Sequence, residues 1–552
     1  MKTIVTSSVL LAMLLAACGG QPEELTAASP LDVLPETSLF SVALVNPSAV
    51  ISAIDGYAAG VPVLGESAVS SWILSALNCA DMSEVDSRLG IRTEGGLAVY
   101  MESMMPQSMG GALTVTDPAT FWANIGVTPQ AAEAIEGYEV TSIPVDFGDL
   151  YFCHTNGLLL AAGSRAGLQA MLGRLDGEIP PSIPDIPDGS FYMFTNIETF
   201  GPMMAGQLAM LKTQLVAEMT AEGGMNADMM QGIMDLYFDA VGMVLTETRS
   251  WSCVLTLGPE YITGTSKLEF IPGSTLDRYM IPVEPEDMTD MIPAGDVMVA
   301  RVSIDPVTSS AAINAVFGAM GMTGIPQDMV EFWAQSAKNT AVSWVFDSVN
   351  PIHIIGLYDV GENVTLEDVK NAYDAQFQMM GSFLTMPGLT LMPVDYAEYS
   401  GMEWISFGME MDMSAMRPDS IENSAPMAGS ISWIAWMTLH DGVLYLEMAR
   451  EPMVAAAIID GTYQGGYASD MPEMGDFSPS SEMAMLFNIP GYLNMAMAMS
   501  GLEVPPIDSE PVWMHIEVDL HEGGMSSKFS VSGTDMSVFI GKAIQTFAAL
   551  AQ

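Results

Sequence analysis

The 552-residue chain carries 16 Lys plus Arg against 67 Asp plus Glu, a formal net charge of −51 that reflects scarce bases in a chain only 15% charged. A surface so short of cations repels phosphate backbones and anionic headgroups, which excludes nucleic acid as a partner. The length exceeds what one core can organise, and a hydrophobic content of 49% is enough for several domains.

The chain opens with a base at Lys2 and an apolar run, Val9-Leu-Leu-Ala-Met-Leu-Leu-Ala-Ala17, which ends in Leu15-Ala16-Ala17-Cys18. A charged start, a short apolar run and small residues are the marks of a secretory signal. The run is shorter than the ~20 residues that span a bilayer core. With a cysteine after the small residues, the segment resembles a bacterial lipobox. Leu15, Ala16 and Ala17 then form the cleavage motif and Cys18 is the lipid-attachment residue. The resemblance implies that residues 1–17 are a removed signal peptide and that Cys18 bears diacylglycerol and an N-linked acyl chain such as palmitate. A membrane becomes a partner through this anchor, each buried methylene contributing ~0.8 kcal/mol. Gly19 and Gly20 follow without an aspartate, which by resemblance to enterobacterial sorting implies the outer membrane of a Gram-negative cell envelope.

Residues 18–33 read as a flexible tether, rich in Gly, Pro, Ser and Glu and without periodicity. Beyond it a unit of Pro, small polar residues, an apolar strand and a helix recurs from Leu34, Ile186, Ile292 and Ser478. Asn46-Pro47 and Asp305-Pro306 can each end a strand and open a helix, because Asn and Asp cap and Pro suits the first turn. A second unit is a hairpin followed by a helix. Its turns are Asn156-Gly157 and Asp441-Gly442, dipeptides that accept positive φ, and its helices end in Asp-Gly at residues 177 and 461. The order strand-helix, hairpin-helix, strand-helix is the same in both halves. The expected fold class is therefore α+β: a tandem duplication of antiparallel-sheet units with covering helices, at 34–280 and 291–552, joined by an acidic, Pro-containing linker at 281–290.

This arrangement resembles a family of uncharacterised bacterial secreted proteins and lipoproteins known only as a domain of unknown function. The resemblance rests on Leu34-Pro35, the Asn156-Gly157 hairpin, the 164–177 helix and the Gly189-Ser-Phe-Tyr-Met193 strand. It implies α+β domains with antiparallel sheets and brings no catalytic residues.

Helices are expected at 201–220 and 226–244, where Ala, Leu, Met and Gln dominate, from Thr365, where an acid follows three residues on, and at 537–550. Alternating strands are expected at 251–257, 262–270, 513–520 and 527–531. The 48 methionines are the compositional oddity. Thioethers can hold Cu(I), and on a strand Met409, Met411 and Met413 would share one face, close to Met416. Core filling by a flexible side chain explains scattered methionines better. His154 and His440 flank the two hairpin turns, yet no histidine pairs with a carboxylate at metal-ligand spacing. Ser164 in Gly163-Ser-Arg-Ala-Gly167 lacks the spacing of a nucleophile elbow. No phosphate loop or dinucleotide fingerprint occurs, so no catalytic, metal or cofactor-binding residue is nominated. Cys79, Cys153 and Cys253 allow one disulfide of undetermined pairing. The expected function is that of an outer-membrane-anchored, non-enzymatic interaction or scaffold lipoprotein with an envelope protein as partner. A carrier of an apolar or lipid-like ligand is the alternative, and methionine-rich copper binding a weaker one.

Overall fold

The computed structural model describes residues 28–35, 38–61, 67–146, 148–177, 186–221, 227–319, 327–336, 338–345, 353–383, 389–412, 430–499 and 505–550. Leu15, Ala16, Ala17 and Cys18 lie outside them. Within the stretch read as a tether, Ser29 and Asp32 cap each other's backbone around a 3-10 turn, Pro30–Val33. Val33 and Leu34 are fully buried, so their apolar side chains draw this end of the tether onto the core.

Two compact units are present. One comprises the described parts of Met1–Pro202, Thr248–Glu269 and Ser530–Gln545; the other comprises those of Met203–Glu247, Phe270–Phe529 and Thr546–Gln552. The units are thus interleaved along the sequence, whereas the two sets of strands follow one another. The first set is β1 Phe40–Leu44, β2 Leu97–Met101, β3 Met109–Thr114, β4 Gln130–Ala131, β5 Val140–Val145, β6 Gly148–Thr155, β7 Leu158–Ala162, β8 Ser190–Thr195, β9 Thr248–Leu257 and β10 Tyr261–Phe270. The second is β11 Met298–Ser303, β12 Asn339–Val345, β13 His353–Asp359, β14 Leu389–Tyr399, β15 Met402–Asp412, β16 Ser430–His440, β17 Val443–Met448, β18 Met483–Asn488, β19 Trp513–His521 and β20 Gly524–Ser532. Together with the helices, these antiparallel strands make the protein α+β.

Hydrogen-bonded neighbours in the first set run β4-β5-β6-β7-β3-β2-β1-β8-β9-β10. In the second they run β14-β15-β16-β17-β13-β12-β11-β18-β19-β20. Each strand of one series has its counterpart ten labels on in the other. The helices keep step. After β1 come α1 Pro47–Ala58, α2 Ala68–Leu77 and α3 Met82–Leu89; α4 Pro118–Ile125 follows β3 and α5 Arg165–Leu175 follows β7. Between β8 and β9 lie α6 Ile197–Ala221 and α7 Ala227–Glu247, and α8 Thr275–Tyr279 follows β10. In the second series α9 Pro306–Ala319 and α10 Gln327–Ser336 follow β11, and α11 Leu366–Phe383 follows β13. Then α12 Met453–Ile459 follows β17, α13 Ile489–Met499 follows β18 and α14 Gly533–Leu550 follows β20.

Alternation along the strands places apolar residues on both faces, and helices cover each face. On one face of the first strand series, Ala43, Ala98, Tyr100, Leu160 and Tyr192 pack beneath Leu168, Met171 and Leu172 of α5. On the other, Leu97, Leu113 and Leu159 meet Phe121 and Trp122 of α4. The second strand series repeats the plan: Ala341, Leu357, Trp404 and Tyr445 lie against Ala455 and Ala456 of α12. Met437, Leu444 and Leu446 lie against Val369 and Tyr373 of α11 and the partly buried Phe332 and Trp333 of α10.

Local chemistry explains the element ends. Asn156 and Gly157 have φ of 50° and 75°, and Asp441 and Gly442 have 49° and 79°, the left-handed pair of a two-residue hairpin. Asn46 and Asp305 accept backbone N–H groups from Ala49 and Val307 and so cap α1 and α9. Thr365 and Asp368 bond each other's backbone N–H ahead of α11. Ser164 caps α5 by accepting from the Gly167 N–H, so the serine in the near-elbow sequence performs a capping task. The start of α12 is served differently, by Glu447 from the preceding strand. Its carboxylate accepts from the N–H groups of Val454 and Ala455 at 3.3 and 2.7 Å.

Candidate functional site

Where two strand series share one plan, the connection that differs most marks added capability, because loops carry function on a common scaffold. In the second set, residues 489–512 join β18 to β19. In the first, residues 196–247 join β8 to β9, and two long helices occupy this connection, α6 of 25 residues and α7 of 21. Asn196 Oδ1 accepts the Thr199 N–H at 3.0 Å and opens α6. Ala, Leu, Met and Gln then sustain the helix. The end of α7 is fixed by Glu247, whose carbonyl accepts from the Ile271 N–H and whose carboxylate accepts from the Leu276 N–H, both at 2.8 Å.

Apolar residues go round these helices rather than along one side. Phe238 is buried, yet Met210 is 67% exposed and Tyr237 63%. Met203, Leu211 and Val244 are also exposed. Between α6 and α7 lies a groove of about 740 Å³, partly open to solvent. Leu208, Phe238 and Met243 supply its bulky apolar lining, and Ala205, Ala209 and Gly242 make room for it. A Cβ built at Gly242 meets nothing within 4 Å, so the space beside it is vacant of protein.

One cation bridges the groove. Lys212 Nζ on α6 lies 2.9 Å from Asp235 Oδ1 and 3.0 Å from Asp239 Oδ1 on α7. The aspartates are four residues apart and therefore share a helix face. Donating hydrogen bonds to Asp235 and Asp239 holds the Lys212 ammonium above its ordinary pKa. Asp239 remains largely exposed beside it. Among the described residues the lining thus carries one positive charge and three negative ones, counting Glu247.

The sequence-nominated chemistry is dispersed. Met409 and Met411 do share a face of β15, but their register neighbours are Leu391 and Leu389 on β14 and Trp433 and Ile431 on β16. Met413 and Met416 lie outside the described residues. Core filling accounts for Met171, Met288, Met437, Met495 and Met497, all buried; it does not account for exposed Met104, Met105, Met203, Met210 or Met453. His154 pairs with Leu159 and His440 with Val443. They stand one step apart relative to their turns and so project from opposite sheet faces. Burial depresses the His154 pKa. Cys79, Cys153 and Cys253 are all free thiols, with no disulfide among them. Burial pushes Cys153 up to about 11 and raises Cys253, which keeps both thiols protonated and inert. No group of three His, Cys, Asp or Glu side chains with metal-site geometry occurs among the described residues.

Perturbed acids often mark active sites, and burial pushes Asp86 up to about 7. Its carboxylate accepts from the Thr93 hydroxyl at 2.9 Å and pins the chain after α3, a structural task. The α6–α7 groove is therefore the candidate site. Sequence reading located both helices but missed the groove. The available signal was Lys212, the single base between Arg174 and Arg249 in a methionine-rich stretch.

No protein-family model matches the chain, and no curated protein matches it. Among solved structures, crystal form I of TP0453 aligns at 6% identity over 46% of this chain and 97% of its own, with a TM-score of 0.22. A likeness at that score carries no argument. Among the described residues, no helix is long and apolar enough to cross a membrane.

Proposed function

We propose that this chain is a lipid-anchored envelope protein that binds an apolar partner in the α6–α7 groove without catalysing a reaction, and that its two strand series descend from duplication of one ten-strand unit. The shared strand order and helix positions support the duplication. The binding reading is carried by one observation: an open groove with an apolar bed of Leu208, Phe238 and Met243, in the connection that sets the first strand series apart. Methionine suits such a surface because its thioether is polarisable and its side chain adapts to varied shapes. The titratable side chains of the groove serve structure: Lys212 joins α6 to α7, and Glu247 holds the end of α7. A carrier would enclose its cargo, whereas this groove lies open to solvent, which favours an interaction protein.

A neutral environment-sensitive dye, N-phenyl-1-naphthylamine, tests the binding reading. Gly242→Leu, whose Cβ has open space, should place a bulky side chain in the groove and strengthen the helix by roughly 1 kcal/mol. The expected result is a dye signal with the native chain that falls at least about tenfold in affinity in the variant, while the melting temperature holds or rises. Equal dye affinity in the two proteins would remove the groove from consideration.

The anchor is tested separately in the bacterial host. Cys18→Ser should leave an uncleaved, unacylated precursor, seen as a larger intact mass and as loss of radiolabelled palmitate. A mature protein with unmodified Cys18 would overturn the anchor.

A further inference from the structure

Building on the groove-binding reading, we infer that the partner is the basic face-bearing kind of amphipathic helix: a segment of another protein with apolar residues on one side and Lys or Arg on the other. Three features of the groove converge on it. Its walls are two helices, and the space between two helices accepts a third, read through anchors at i, i+3 or i+4 and i+7. The small residues Ala205, Ala209 and Gly242 leave room for such anchors, and Leu208, Phe238 and Met243 give them an apolar bed. Met203 and Met210 on α6 are exposed as well and add adaptable apolar surface to that helix.

Charge selects among the apolar occupants. The one cation in the lining among the described residues, Lys212, is already neutralised by Asp235 and Asp239, and Asp239 keeps most of its surface free for an incoming base. A fatty acid or an anionic lipid would place its headgroup beside these carboxylates with no free cation in the lining to receive it. A second copy of this chain would bring another −51 formal charges and be repelled. A basic helix meets the opposite condition: the whole chain attracts it, and the rim of the groove pairs with its Lys or Arg while its apolar face is buried.

The test uses fluorescein-labelled synthetic helices of roughly 18 residues that share one leucine face and differ only in carrying Lys, Gln or Glu on the other. Binding to the full chain is followed by fluorescence anisotropy. The Lys peptide should bind at least about tenfold more tightly than the Glu peptide, and the difference should shrink in about 0.5 M salt. It should also displace the naphthylamine dye. Gly242→Leu, which has unchanged charge, should lose the Lys peptide. Asp239→Asn leaves Asp235 to hold Lys212 and should narrow the preference for the Lys peptide. If Gly242→Leu binds the Lys peptide as tightly as the native chain, attraction is diffuse and the proposal fails. If the dye binds but the three peptides do not differ, or oleate displaces it better than any peptide, the groove stands and its basic partner does not. Concentration-dependent dimers in sedimentation that exclude the dye would assign the groove to a second copy and also overturn the proposal.

Discussion

Glu447→Ala is expected to destabilise the protein by about 3–5 kcal/mol, because it strands several buried polar groups at once and each unsatisfied one costs roughly 1–3 kcal/mol. Glu447 lies on β17 with no exposure to solvent. Its Oε2 accepts the Ala455 N–H at 2.7 Å, and its Oε1 accepts the Val454 N–H at 3.3 Å and lies 2.9 Å from His353 Nε2. Pro452 at the start of α12 offers no side-chain cap, so these first-turn N–H groups depend on the carboxylate. The positive end of the helix dipole favours a negative group at this point. The equivalent helix after β7 needs no such device, since Ser164 caps it directly. Glu447→Gln keeps the shape and one acceptor and should cost less, about 1–2 kcal/mol. Urea melts of both variants check the ordering: a Glu447→Ala midpoint equal to that of the native protein would show the network to be without consequence.

The contrast between α5 and α12 shows what a sequence can disclose. A serine one residue before a helix is readable, and so are Asn156-Gly157, Asp441-Gly442, Asn46-Pro47 and the Thr365-to-Asp368 spacing, because each acts within four residues along the chain. The α+β class followed from these local signals. A glutamate on a strand that caps a helix eight residues later, and that also meets a histidine 94 residues away, has no such signature. The strand order was hidden for the same reason. That β3 pairs with β7 and β13 with β17 depends on contacts between distant segments, and nothing in Met109–Thr114 or His353–Asp359 names the partner. At the groove, 201–220 and 226–244 were legible as helices by composition. The facing of Lys212 by Asp235 and Asp239 depends on how α6 and α7 lie beside one another, and the space beside Gly242 is a property of neither helix alone.

Trp404→Ala is the second change with a large expected effect, about 3–5 kcal/mol, the cost typical of emptying a fully buried tryptophan site. Trp404 is 0% exposed and stands first among the largest fully buried side chains. It sits on β15 in the core that Leu357, Tyr445, Ala455 and Ala456 share, where strand meets α12. Its indole Nε1–H donates to the Tyr399 carbonyl at 3.3 Å, across the turn between β14 and β15. Truncation therefore removes apolar contacts and leaves that carbonyl without its donor, two costs of the same sign. The small alanines of α12 cannot extend to fill the space, so the cavity persists. Trp404→Phe retains most of the packing and loses only the N–H, which should cost about 1–2 kcal/mol. The two variants separate the contributions in a urea melt followed by far-UV circular dichroism. A near-equal loss in both would assign the stability to the Tyr399 hydrogen bond. A large loss confined to Trp404→Ala assigns it to the packing between β15 and α12, the contact that the order of strands in the second series makes possible.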